Sequence, residues 1–170
     1  MKVEWLQIEE FPAYSVSNIG EVRNDETDRY MTKLMNQRGI VNVGLTRDRV
    51  QYKRSLAVLV AEHFVDKPAD TSGRWLQAFD TPVNLDGDRT NNRAENIVWR
   101  PRWFATQYFK QFRDVYPCLN RPVEIIETGE MFETSLHAAI ALGVLDREIA
   151  ISVMTKNYVW PINQHFRVIQ

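Results

Sequence analysis

The chain is short of several residue types that folding or catalysis often depends on. Its 170 residues include one cysteine, Cys118, and three histidines, His63, His137 and His165. A single cysteine excludes an internal disulfide and any CxxC zinc site, and it fits a reducing compartment. Long apolar runs are missing too. Leu56–Val60 and Ala138–Val144 are the longest, far below the roughly 20 residues of a membrane span, so no membrane partner is expected. Met1–Trp5 lacks the apolar stretch of a secretory signal, and a cytoplasmic protein is expected. Positive charge is not in excess either. A net charge of −1 and a pI near 6.3 differ from the strongly basic balance of nonspecific nucleic-acid binders.

What is present is apolar surface and local patterning. Hydrophobic residues make up 44% of the chain, enough for at least one real core. Basic residues concentrate between Arg29 and Arg54, where Arg29, Lys33, Arg38, Arg47, Arg49, Lys53 and Arg54 face a single acid, Asp48. That stretch is either a basic face or a solvated face of mixed charge.

The first residues read Trp5, Ile8, Phe11, Tyr14, Val16-Ser17-Asn18, Gly20, Val22-Arg23. Tyr14 to Ser17 alternates as a strand does, Asn18-Ile19-Gly20 supplies a turn, and Glu21 to Arg23 returns antiparallel. Trp5, Phe11 and Tyr14 are read as packing residues, while Asn18 and Arg23 flank the turn within reach of a phosphate. Strands are expected over Tyr30–Leu34, Gly39–Leu45 and Val50–Arg54, the second from the alternation of Val41, Val43 and Leu45. A buried helix is predicted over Leu56–Phe64 with Ser55 as its N-cap. His63 is read as packing or capping rather than as a ligand. Asp66–Gly73 reads as an exposed loop, Trp75–Val83 as a strand, and Trp103 to about Arg113 as a helix with Pro101 near its first turn.

The stretch Val83–Trp99, VNLDGDRTNNRAENIVW, resembles the core of the HNH homing endonucleases. Asp86-Gly87, Asn91-Asn92 and Asn96-Ile97-Val98-Trp99 fill the family's scaffold places, and the N-terminal spacing looks like the nuclease-associated modular domain that precedes such cores. By this resemblance the general-base histidine falls on Asn84, one metal ligand on Val83, and a second, six residues after Trp99, on Ala105. A one-metal nuclease needs a neutral imidazole and oxygen or nitrogen ligands. Asparagine has no useful pKa, and valine and alanine have no lone pair. No catalytic residue and no cofactor are therefore expected. Asn96 would tie the loop and Asp86 would order its turn.

After a linker bounded by Pro117 and Pro122 comes strand Val123–Ile126, a turn, its return Met131-Phe132, and a helix Ser135–Leu142 stopped by Gly143. Asp146 is the expected N-cap of a second helix, Arg147–Lys156, with strands at Tyr158–Trp160 and Phe166–Ile169. This order is similar to the C-terminal helix-turn-helix module of many HNH homing nucleases.

The fold class expected is α+β: an N-terminal antiparallel β module over 1–54, a degenerate ββα-metal core over 55–115, a linker at 116–122 and a helix-turn-helix-like module over 123–170. The resemblance implies a phage-encoded protein, in the cytoplasm of a bacterial host, that binds duplex DNA with cleavage lost. Lys53, Arg54, Arg89, Arg93, Arg100 and Arg102 would grip phosphates around the former active site, with Arg23, Arg147 and Lys156 as outlying contacts. Two alternatives stay open. One is a weak nickase using Asn84, Asp86 and Asn96 with magnesium or manganese. The other is a module binding a host or phage protein, with Trp75, Trp103 and Trp160 as contacts.

Overall fold

A computed structural model describes residues 2–69, 78–113 and 116–169. The elements follow from the local patterns in most places. β1 (Trp5–Gln7), β2 (Tyr14–Ser17), β3 (Val22–Asn24) and β4 (Arg29–Tyr30) form an antiparallel sheet in chain order. Tyr14 and Val16 of β2 point into the core, and the polar alternates Ser15 and Ser17 are buried as well. They are tolerated because they are satisfied: Ser15 Oγ donates to Asp25 Oδ2 and Ser17 Oγ accepts from the Glu21 N–H at 2.9 Å.

The single strand expected over 30–34 is two. β4 pairs with β3, whereas β5 (Leu34–Met35) pairs with β6 (Val41–Arg47) in a second sheet, ordered β5-β6-β7 with β7 at Val50–Ser55. The chain changes sheets at Met31–Lys33, so one run of strand-forming residues serves two ladders. α1 (Leu56–Phe64) follows β7 directly and buries Leu56, Leu59, Val60 and Ala61. Ser55 occupies the N-cap position, but its hydroxyl makes no capping bond. The His63 ring nitrogen Nδ1 lies 2.7 Å from the Leu59 carbonyl, a local tie within the helix. β8 (Thr81–Asn84) and β9 (Ile97–Arg100) form a two-stranded ladder. The earlier part of the strand expected over 75–83 is not seen at 78–80, and Trp75 lies outside the described residues.

One core joins these pieces. Phe11 from the β1–β2 connection, with Tyr14, Val16 and Val22 of the first sheet, meets Val43 and Leu45 of the second, the inner face of α1, and Ile97 and Trp99 of β9. Each such side chain contributes about 1.5–3 kcal/mol by leaving water. The Trp99 Nε1–H donates to the Val65 carbonyl at 3.1 Å, which fastens β9 to the end of α1.

The remaining elements are α2 (Arg102–Gln111), β10 (Val123–Ile125), β11 (Met131–Phe132), α3 (Ser135–Leu142), α4 (Asp146–Thr155) and β12 (Phe166–Val168). The sheet order is β11-β10-β12, all antiparallel. Val123, Ile125, Ala138, Ala139, Val144, Ile149, Val159 and Phe166 form a second core. Thr134 caps α3 by accepting the His137 N–H at 3.2 Å, and Gly143 ends it in the left-handed region at φ +63°, where a glycine has no Cβ to strain. Asp146 does not cap α4. It is the helix's first residue, after Leu145, and its Oδ2 instead accepts the Cys118 N–H at 2.8 Å. The strand expected at 158–160 reduces to a single bridge, Val159 with Gln164, since Pro161 has no N–H to extend a ladder.

By packing, the chain divides into two units: Met1–Asn84 with Asp88–Arg102, and Leu85–Gly87 with Trp103–Gln170. This division is of a different kind from the modules read along the sequence. No helix of the described residues is long and apolar enough to cross a membrane.

Candidate nucleic-acid interface

The β8–β9 ladder pairs Val83 with Val98 and Asn84 with Ile97, which fixes where the loop between them begins and ends. Asn84 is only 3% exposed. Its Nδ2 donates to the Asn91 carbonyl at 2.8 Å and to Asn92 Oδ1 at 3.2 Å. Asn96 Nδ2 donates to the same Asn91 carbonyl at 2.9 Å, and Asn92 Nδ2 returns to the Arg89 carbonyl at 3.1 Å. Asp88 Oδ1 accepts the Thr90 hydroxyl and N–H, and those two bonds hold its carboxyl below the usual carboxylate range. The loop is thus laced by its own amides.

It is also docked on the turn between β2 and β3. The Ala94 N–H donates to the Asn18 carbonyl at 2.8 Å, and a Cβ on Gly20 would stand 2.6 Å from the Asn92 carbonyl oxygen. No local signal announces this contact, because each side is an ordinary turn.

The three positions of the expected chemistry can now be placed. Val83 is fully buried, Asn84 is committed to the loop, and Ala105 is a buried residue of α2. Among the described residues no group of three His, Cys, Asp or Glu side chains could hold a metal ion. Asp86 is exposed and precedes Gly87, whose φ is +77° and where a Cβ would lie 2.6 Å from the Phe112 ring. Gly87 is required by both its backbone and its neighbour.

The basic residues fall into separate groups. Arg23 of β3 lies over the Trp5 ring at 4.9 Å and pairs with Asp25 at 3.3 Å and Asp28 at 3.4 Å. Arg89 and Arg93 share the asparagine loop: Arg89 Nη1 donates to the Arg38 carbonyl at 3.0 Å, and Arg93 Nε pairs with Glu95 at 3.0 Å. Arg100, on β9, is 8% exposed and donates from Nη1 to the Trp99 carbonyl, while Arg102 is exposed at the start of α2. Lys53 is exposed on β7 beside Arg54. Arg147 pairs with Glu148 at 3.4 Å, and Lys156 closes α4 in the left-handed region at φ +60°. Trp103 stacks on Trp160 with centroids 5.6 Å apart.

The run from Arg29 to Arg54 is less basic in space than in sequence. Glu21 pairs with Lys33, and Glu10 pairs with both Arg47 and Arg54, from 37 and 44 residues away. The acids arrive from the connections between the first three strands, which no inspection of the run itself reveals.

Residues 4–46 match the NUMOD4 motif. Two proteins of Acanthamoeba polyphaga mimivirus, each described as an uncharacterized HNH endonuclease, L245 and L247, are similar in sequence. The first is 25% identical over 99 residues, 58% of this chain and 27% of its own length. The second is 35% identical over 96 residues, 55% of this chain and 22% of its own length. The matched part is about a quarter of these relatives. A solved structure, "DNA binding and cleavage by the HNH homing endonuclease I-HmuI", superposes with a TM-score of 0.53 at 18% identity and covers 98% of both chains. The chain thus carries a NUMOD4 motif at residues 4–46, is similar over just over half its length to HNH endonucleases, and has a mixed α+β fold like that of an HNH homing endonuclease.

Proposed function

We propose that this protein binds duplex DNA and no longer cuts it. The observation that carries the reading is the commitment of the Asn84 amide to the asparagine loop, at the place where a cutting relative would hold its general base. Loss of a general base alone lowers a rate by about a hundredfold to ten-thousandfold, and the missing metal ligands act on top of that. Duplex contact would come from several small groups along the chain, each positioning the protein on phosphates. These are Lys53 and Arg54 on β7, Arg89 and Arg93 in the loop, Arg102 at the start of α2, and Arg147 and Lys156 on α4, used as the second helix of a helix-turn-helix. The setting proposed is the cytoplasm of a virus-infected host.

The test is binding of a mixed duplex-DNA pool at two salt concentrations, with supercoiled plasmid and magnesium or manganese in parallel. Tight, salt-sensitive binding without nicks supports the reading. Nicks abolished by Asn84→Ala would replace it with a metal-dependent nickase, and no binding at either salt would replace it with a protein-binding module.

A further inference from the structure

Phe11 and Tyr52 form a ring pair with centroids 5.6 Å apart, and two arginines gather on it. The Arg47 guanidinium carbon is 5.5 Å from the Phe11 centroid and 5.3 Å from that of Tyr52, and the Arg54 carbon is 5.1 Å and 5.4 Å from the same two. The rings hold both planar cations in place by cation–π attraction. Two like charges drawn to one ring pair repel each other unless an anion joins them. Glu10 is that anion. Its carboxylate takes a two-toothed contact from Arg54, with Nε to Oε2 at 3.1 Å and Nη2 to Oε1, and lies 3.9 Å from Arg47 Nη1, which also donates to the Glu10 carbonyl. Arg54 lowers the Glu10 pKa first by this hydrogen bond, against the opposing effect of desolvation, and Arg54 and Arg47 add charge attraction.

The group is open to solvent: the side chains of Arg47, Arg54 and Glu10 are 42%, 32% and 47% exposed. A fork of guanidinium N–H groups fits a carboxylate and a phosphate in the same way. We infer that Arg47 and Arg54 form a backbone-phosphate seat, which Glu10 fills in the free protein and vacates when a phosphodiester arrives. This rests on the duplex-binding reading above. Exchange is nearly neutral in energy, because a surface carboxylate released to water regains its hydration. Asp48, 3.8 Å from Arg47 Nε, and Glu62, whose charge bears on Arg54, keep the seat from being strongly cationic. The seat therefore restrains indiscriminate binding until other contacts bring a phosphate to it.

The experiment uses the full chain as wild type, Glu10→Gln, Arg54→Ala and the double variant. Duplex affinity is measured over a salt series, and the Arg54 Nε–H resonance is followed on titration with inorganic phosphate. Removing the Glu10 charge should tighten duplex binding by about threefold or more at low salt and steepen the salt slope by about 0.9, the increment for one added phosphate contact. Arg54→Ala should cancel that gain, and phosphate should shift the Arg54 resonance further in Glu10→Gln than in wild type. Unchanged duplex binding by folded Glu10→Gln, with an unresponsive Arg54 resonance, overturns the seat and leaves the DNA reading intact. A responsive resonance in a protein that binds no duplex overturns the DNA reading and leaves an anion site.

Discussion

The asparagine loop and the arginine face belong to the same packed unit and are built on opposite plans. Asn84, Asn92 and Asn96 turn their amides inward and spend them on backbone carbonyls. Arg47 and Arg54 keep their charges in solvent and hold them against aromatic rings. Buried amides are costly to leave unpaired, whereas exposed ion pairs contribute little. The loop that would carry chemistry in a nuclease is thus the part of this unit committed to stability. The face with groups free to exchange partners lies on the neighbouring sheet.

The contrast can be broken most forcefully at Gly20. Gly20→Ala places a Cβ 2.6 Å from the Asn92 carbonyl oxygen at φ +79° and should cost about 2–4 kcal/mol in denaturant unfolding. A loss under about 1 kcal/mol would mean the loop is not seated on the β2–β3 turn. Next, Asn84→Ala removes the donor to the Asn91 carbonyl and Asn92 Oδ1 and should cost about 1–3 kcal/mol. Asn84→His should lose stability too and gain no nicking with manganese, since Val83 and Ala105 supply no ligand; nicks in a plasmid assay would show that the cutting geometry survives. Within the same loop, but at its charged side chains, Arg89→Ala with Arg93→Ala should leave the unfolding midpoint nearly unchanged. It should flatten the salt slope of duplex binding by up to about 1.8, or 0.9 for each phosphate lost.

The smallest effect is expected at an exposed pair in the other unit. Glu127 accepts from the ring and the backbone N–H of His165, and those bonds hold its carboxyl below the usual range. A carboxyl depressed in the folded state stabilises above its unfolded pKa of about 4.3 and loses that contribution as pH falls through the lower folded value. Wild type and Glu127→Gln should therefore differ slightly near neutral pH and converge in acid, as followed by thermal unfolding. Equal stability at both would class the pair with surface contacts of no consequence.

Legibility followed the range of the interaction. α1 and α3 were read with correct ends because Leu56–Phe64 and Ser135–Leu142 carry their own periodicity, and Gly143 marks a stop that any chain would obey. The division of residues 29–35 between two sheets was not legible, because either ladder accepts the same residues and only the partner decides. Asp146 looked like a helix cap until the Cys118 N–H, 28 positions away, claimed its carboxylate. Glu10 and the ring pair Phe11–Tyr52 were illegible for the same reason: their meaning depends on partners about 40 residues distant.

The short segment Leu85–Gly87 packs with the unit that otherwise begins at Trp103, while its flanks on both sides pack with the other. The Tyr108 hydroxyl donates to the Leu85 carbonyl, and the Phe112 ring fills the space where Gly87 has no side chain. The polypeptide therefore leaves one unit and returns to it through a three-residue stitch. Recombination at a single junction cannot part the two units cleanly, because a crossover after residue 102 separates the stitch from the helix that covers it and one before residue 85 carries Asp88–Arg102 away from its own unit. Cassette exchange among relatives would have to preserve the residue facing the glycine, and domain-swap engineering at residue 102 should fail unless residues 85–87 travel with the second half.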